Sequence, residues 1–180
     1  MPNYRRARVE GATYFFTVNL ADRSRHLLTD RIDALRLAFS HAKASFPFAI
    51  DAIVILPEHL HCVWTLPVGD AEFSDRWRRI KAEFSARVAP IAGRSSGRAH
   101  KGERGIWQRG FWEHVVRDDD DYTAHLDYIH FNPVRHGHVS RAVDWPFSSF
   151  RRYLKKGFYS PDWADTGEVV LEVGEAADES

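Results

Sequence analysis

Residues 48 to 67, FAIDAIVILPEHLHCVWTLP, set two apolar runs on either side of Pro57 and Glu58. A break that short joins extended segments only as a tight connection, so the chain must contain an antiparallel strand pair with apolar flanks. The segment TYFFTVNL at 13 to 20, β-branched and aromatic and placed after Gly11, reads as an earlier strand. Between them Asp30 stands as an N-cap before Ile32, Leu35, Leu37, Ala38 and Phe39, whose spacing predicts a helix ending near Phe46, before Pro47. Residues 71 to 91 place Phe73, Trp77, Ile80, Phe84 and Val88 three or four apart, a second amphipathic helix. IWQRGFWEHVVR supplies a further strand, and DDDDYTAHLDYIHF a third helix whose leading acids suit its N-terminus. The order strand, helix, strand, strand, helix, strand predicts an α+β, ferredoxin-like antiparallel sheet with helices on one face, plus an added C-terminal helix.

The 180 residues suffice for one core rather than two, and we expect a domain over residues 1–161 followed by an acidic tail at 162–180. Cys62 is the only cysteine, and the start MPNYRRARVE lacks the apolar core of a secretory signal, so a reducing, cytoplasmic setting is expected. No apolar run approaches the roughly 20 residues that span a bilayer, so a membrane is not an expected partner. The net charge of zero hides an asymmetry: all 25 Lys and Arg precede position 162, while seven of the 25 acids lie at or beyond it. The first 161 residues thus set 25 basic against 18 acidic side chains, a net charge of +7. Twenty of the basic residues are Arg, whose planar fork suits phosphate contacts and base stacking.

The chemistry starts at His59 and His61, which open the second arm of the hairpin. Residues two apart on a strand share a face, so their imidazoles converge while Leu60 and Cys62 point toward core. Such a pair needs one or two further ligands to hold a divalent metal; two solvated or hydrogen-bonded histidines would look the same. The segment DYIHFNPVRHG places Tyr128 and Asn132 four apart, on one helix face if the helix continues that far. Pro133 disfavours helical backbone at Asn132, which would then cap a new turn instead. From spacing alone Tyr128 reads first as a core-edge residue with a bonded hydroxyl, and only second as a catalytic one.

These two features sit among others in a fixed order: YFFTVNLADRSRHLL, LPEHLHCVWTLP, WQRGFWEHVVRDDDDYTAHLDYIHFNPVRHG, DWPFSSFRRYLKKGFY and PDW. Together they resemble the HUH single-tyrosine transposases, in particular the REP-associated tyrosine transposases; only the loop near 93 to 105 and the acidic tail fall outside the likeness. The resemblance implies that His59 and His61 are the metal-binding pair, Tyr128 the nucleophile on the added helix, and Asn132 the third ligand, where insertion-element relatives usually place Gln. It implies a divalent ion, Mg²⁺ or Mn²⁺, and single-stranded or hairpin DNA of repetitive palindromes as substrate. Tyr128 would attack a phosphodiester to give a 5′-phosphotyrosine link, and a monomer or a homodimer would do the work, in association with the bacterial nucleoid. The alternative in the same fold is a hairpin-binding regulator that does not cut.

Free tyrosine titrates near pH 10, so a nucleophilic Tyr128 needs a proton acceptor, for which His125 and His130 are candidates. For DNA binding, Trp107, Arg109 and Trp112 interleave aromatic and basic groups as single-strand binders do. Arg76 and Arg79 on the second helix, with Arg78 and Lys81, and Arg151 and Arg152 near the end, with Lys155 and Lys156, are candidate grips for a hairpin stem. Arg94, Arg98, Lys101 and Arg104 add a basic loop.

Overall fold

The computed structural model describes residues 6–92 and 105–165, so the basic loop residues Arg94, Arg98, Lys101 and Arg104 and the tail from residue 166 lie outside the described residues. Its elements are β1 (Thr13–Asn19), α1 (Leu27–Asp30), α2 (Ile32–Ser45), β2 (Ala49–Ile55), β3 (His59–Thr65), α3 (Phe73–Ala92), β4 (Trp112–Val115), α4 (Asp119–Arg135) and α5 (Phe150–Lys155). The sheet is antiparallel in the order β2-β3-β1-β4, the arrangement a ferredoxin-like unit requires. One local expectation fails: Asp30 ends α1 rather than capping α2, whose N-cap position is Arg31 with no side-chain cap bond.

Strand alternation divides the sheet into two buried faces. Tyr14, Phe16 and Val18 of β1 and Leu60, Cys62 and Trp64 of β3 pack against Leu35, Ala38, Phe39 and Ala42 of α2 and the Phe73, Trp77, Ile80, Phe84, Val88 stripe of α3. Trp64 and Trp77 stack at 4.3 Å at the centre of this layer. The opposite face is not left to solvent. Phe15, Ala52, Val54 and Val63 pack against Leu126, Tyr128 and Ile129 of α4. Helices therefore cover both faces. The expectation of helices on one face holds for α2 and α3, and the added helix closes the other.

α4 begins at Asp118, whose side chain accepts a hydrogen bond from the Asp121 amide at 2.8 Å, and carries three acids in its first turn. It runs through Pro133. The proline removes one helical hydrogen bond, but the helix end is secured just beyond it. The amides of Gly137 and His138 donate to the carbonyls of Val134 and Pro133 at 3.0 and 2.9 Å, with Gly137 at φ +72°, the left-handed closure that glycine allows. That closure fixes Asn132, Arg135 and His136 at defined places in the last turn. A C-terminal segment then returns along the outer edge of β2, where the Ile55 amide donates to Phe147 O and the Ser149 amide to Ile53 O.

Candidate active site

His59 and His61 lie on the α4 face of β3, with Leu60 and Cys62 turned to the other layer, as strand periodicity requires. Both are almost fully buried, at 3% and 2% exposure, with ring centroids 4.9 Å apart. Each has its Nδ1 held by a neighbour. His59 Nδ1 meets Glu58 Oε1 at 2.9 Å, and His61 Nδ1 meets Thr17 Oγ1 at 2.8 Å. Burial pushes the Glu58 carboxyl up, but the hydrogen bond and charge of His59, with Arg23 nearby, outweigh it and hold the group down at about 2. For His61, burial first and then the positive surroundings of His59, His136, Arg135 and Arg23 hold the imidazole well below its usual range and keep it neutral.

α4 brings Tyr128 to this pair. Its ring stands edge-on to His61, centroids 5.1 Å apart, and edge-on to Phe15 at 5.9 Å, with 3% of the residue exposed. Because the helix is unbroken through Pro133, Asn132 follows Tyr128 by one turn on the same face. Asn132 is fully buried, and neither amide atom has a hydrogen-bond partner among the described residues. A buried amide left unsatisfied costs on the order of 1–3 kcal/mol, which a metal bond to its oxygen would offset. Two imidazoles oriented through Nδ1 and one amide oxygen are donor types that fit a divalent cation of the Mn²⁺ type.

The proposed proton acceptors fare differently. His130 is fully buried, sharing Nδ1 with Tyr159 Oη at 2.9 Å and Nε2 with Ser149 Oγ at 2.8 Å, while Tyr159 donates to Asp127 at 2.9 Å. Burial, with a smaller effect from Arg152, lowers it to about 3. It ties α4 to the C-terminal segment. His125 donates Nδ1–H to the Asp121 carbonyl at 2.7 Å and stacks on His114 at 4.7 Å. His114, Asp121 and His125 bring ligand-type atoms within 4.8 Å of one another, close enough to take a metal. Hydrogen bonds already engage all three, since Asp121 also accepts from His114 Nε2 at 2.8 Å and from the Arg117 amide at 2.9 Å.

Among the DNA-binding candidates, Arg76 is corrected. It is 1% exposed, its guanidinium donating to both Asp70 oxygens and to the carbonyls of Phe46, Pro47 and Glu72, so it closes the α2–β2 corner and cannot grip a stem. Arg79 lies near it over the Phe46 ring but points to the surface. The aromatic strip is split between the two layers. Trp107 packs with the α3 side, donating Nε1–H to Lys81 O at 3.2 Å and lining a cavity of about 550 Å³ there. Trp112 pairs with Thr17 in register, and Thr17 pairs with His61, which sets Trp112 in line with the histidine pair on the α4 face, packed against the Tyr128 cluster. Arg109 is exposed; Arg151 and Arg152 are exposed on α5, with contacts to the carbonyls of Val143 and of Asp51 and Ile50.

Sequence reasoning overlooked Glu58, Thr17 and Arg135. Glu58 adjoins His59 in the chain. Thr17 becomes visible only through strand register, and Arg135 only once the helix is continued past Pro133. Among the described residues, no helix is long and apolar enough to cross a membrane.

No family model matches the chain. It is 48% identical over 170 residues to the REP-associated tyrosine transposase of Escherichia coli (strain K12), with 94% of each chain covered. It is 41% identical over 173 residues to a Haemophilus influenzae protein described in the same family, covering 96% of this chain and 98% of that one. A solved REP-associated tyrosine transposase bound to a REP hairpin superposes with a TM-score of 0.80 at 44% identity, covering 100% of this chain and 96% of the other. These relatives and the shared fold define the class as a DNA-processing enzyme. The chain belongs to the REP-associated tyrosine transposase family.

Proposed function

We propose that the protein is a metal-dependent single-strand DNA endonuclease and strand transferase acting on palindromic hairpin DNA through a 5′-phosphotyrosine intermediate. The observation that carries this reading is Tyr128 standing edge-on to His61 at 5.1 Å, on a helix face shared with Asn132. A hairpin is bound by the solved relative, which supports the same class of substrate here.

His59, His61 and Asn132 would hold the ion, Mg²⁺ or Mn²⁺, which when bound polarises the scissile phosphate and offsets charge on its oxygens. Thr17 and Glu58 orient the imidazoles. Tyr128, rigid between Phe15 and His61, presents its hydroxyl; its oxygen bonds to phosphorus as the bond to the 3′ oxygen breaks. The phosphodiester energy stays in the tyrosine link, so the free 3′-hydroxyl can reverse the step. The tyrosine and the histidine pair come from one chain, which supports a site complete in a single copy. Exposed Arg79, Arg109, Arg151 and Arg152, with Trp112 beside the catalytic face, are the candidate DNA contacts.

A labelled palindromic hairpin with a single-stranded flank, incubated with Mn²⁺ or Mg²⁺, should yield a covalent adduct that Tyr128→Phe abolishes. Tight hairpin binding with no adduct across a panel of substrates would instead identify a regulator without cleavage.

A further inference from the structure

Arg135 is the last residue of α4, seven positions after Tyr128 and three after Asn132. Seven residues make about two helical turns, so all three line one face. The Arg135 guanidinium carbon stands 5.4 Å from the centroid of the Tyr128 ring, and its charge is also felt at His61. The side chain is exposed. Other arginines, including Arg76, Arg87, Arg117 and Arg141, meet carboxylates, whereas Arg135 has no carboxylate partner among the described residues. A guanidinium held beside a buried phenol and left without an anion is set to receive one from outside, and the fork favours a phosphate.

We propose that Arg135 holds a non-bridging oxygen of the phosphate that Tyr128 attacks. The inference rests on the strand-transfer reading above. In that step the Tyr128 oxygen bonds to phosphorus and the bond to the 3′ oxygen breaks. The phenol proton leaves to solvent and the departing 3′ oxygen takes one up. Both non-bridging oxygens stay on phosphorus, and the negative charge they carry into the crowded transition state is what Arg135 meets. A favourable cation at a helix C-terminus would also place a basic residue here, but lysine would serve that purpose equally.

The test uses the full-length protein and a hairpin oligonucleotide with a cleavable single-stranded flank. In single-turnover adduct formation with Mn²⁺, Arg135→Ala should react about a hundredfold more slowly than wild type, the scale for losing one transition-state donor, with Arg135→Lys recovering only part. A binding cycle isolates the contact. In the uncleaving Tyr128→Phe protein, replacing the scissile phosphate by an uncharged methylphosphonate should weaken binding about tenfold, roughly the value of one charge-assisted hydrogen bond. With Arg135→Ala added, the same replacement should cost nothing further. Equal losses in both backgrounds, or an unchanged adduct rate in Arg135→Ala, would overturn the assignment while leaving the transferase reading intact. A wild-type protein that forms no adduct would overturn the transferase reading and this one together.

Discussion

Thr17 Oγ1 and His61 Nδ1 face each other across the β1–β3 pair, 2.8 Å apart, at directly paired register positions. An imidazole held through Nδ1 has one ring orientation and offers Nε2 to a metal, and such supporting contacts are typically worth about 10- to 100-fold in affinity. Thr17→Val keeps the β-branched shape and removes the hydroxyl. We expect Mn²⁺ binding, followed by calorimetry, to weaken at least about tenfold with little change in thermal stability. Unchanged affinity would show that Phe15 and Tyr128, which pack on the same ring, fix it unaided.

Asn132 carries an opposite balance of stability and function. Its buried amide lacks hydrogen-bond partners among the described residues, so without metal it is a liability to the fold. Asn132→Leu, close in volume, should raise metal-free stability in urea unfolding by about 1 kcal/mol, since a desolvated polar group is removed. The same variant should lose Mn²⁺ affinity and adduct formation. A destabilised Asn132→Leu protein would mean that the amide is satisfied by ordered water rather than by an ion.

Much of this architecture was legible in the chain, because it depends on local pattern. The break at Pro57 and Glu58 dictated the hairpin, the alternation around Leu60 placed His59 and His61 on one face, and the stripe from Phe73 to Val88 marked α3. What escaped depended on tertiary partners. Arg76 looks like its exposed neighbours Arg78 and Arg79 until Asp70 and three carbonyls close around it. Trp107 and Trp112 look continuous until Gly110, at φ +75°, and the short β4 send them to different layers. Pro133 argued for a break; the closure at Gly137 and the burial of Asn132 and Pro133 carried the helix through.

Acid should unfold the protein earlier than its carboxylates alone would predict. His130 is lowered to about 3, below its unfolded value near 6.5, so the folded state keeps it neutral while the unfolded state takes up a proton. Stability is therefore full above about pH 6.5 and falls as pH drops toward the folded value, by about 1.4 kcal/mol per pH unit from this group. His61 and His125, lowered by burial in the same direction, add to the slope. Glu58 and Asp121, both held near 2, contribute only below about pH 4.5. Urea unfolding between pH 7.5 and 5 should show the decline, and His130→Gln should flatten it. An identical slope in that variant would assign the effect to the other histidines.

Arg76 and Arg79, one turn apart in sequence terms but opposite in setting, should separate stability from binding. Truncating Arg76 strands the Asp70 carboxylate and the carbonyls of Phe46, Pro47 and Glu72 at the α2–β2 corner. Removing one partner of a buried ion pair typically costs about 3–5 kcal/mol; with Asp70 itself 29% exposed, a loss near the lower end, about 3 kcal/mol, is expected. The fraction that remains folded should bind hairpin DNA as wild type does. Arg79→Ala, which surrenders only a surface cation and its contact with Phe46 at 4.6 Å, should leave stability within about 0.5 kcal/mol. Any role it has in gripping DNA should then appear as weaker binding and a shallower salt dependence, by about one phosphate contact. Hairpin affinity measured at several salt concentrations decides the point: a slope unchanged in Arg79→Ala removes this face of α3 from the DNA path.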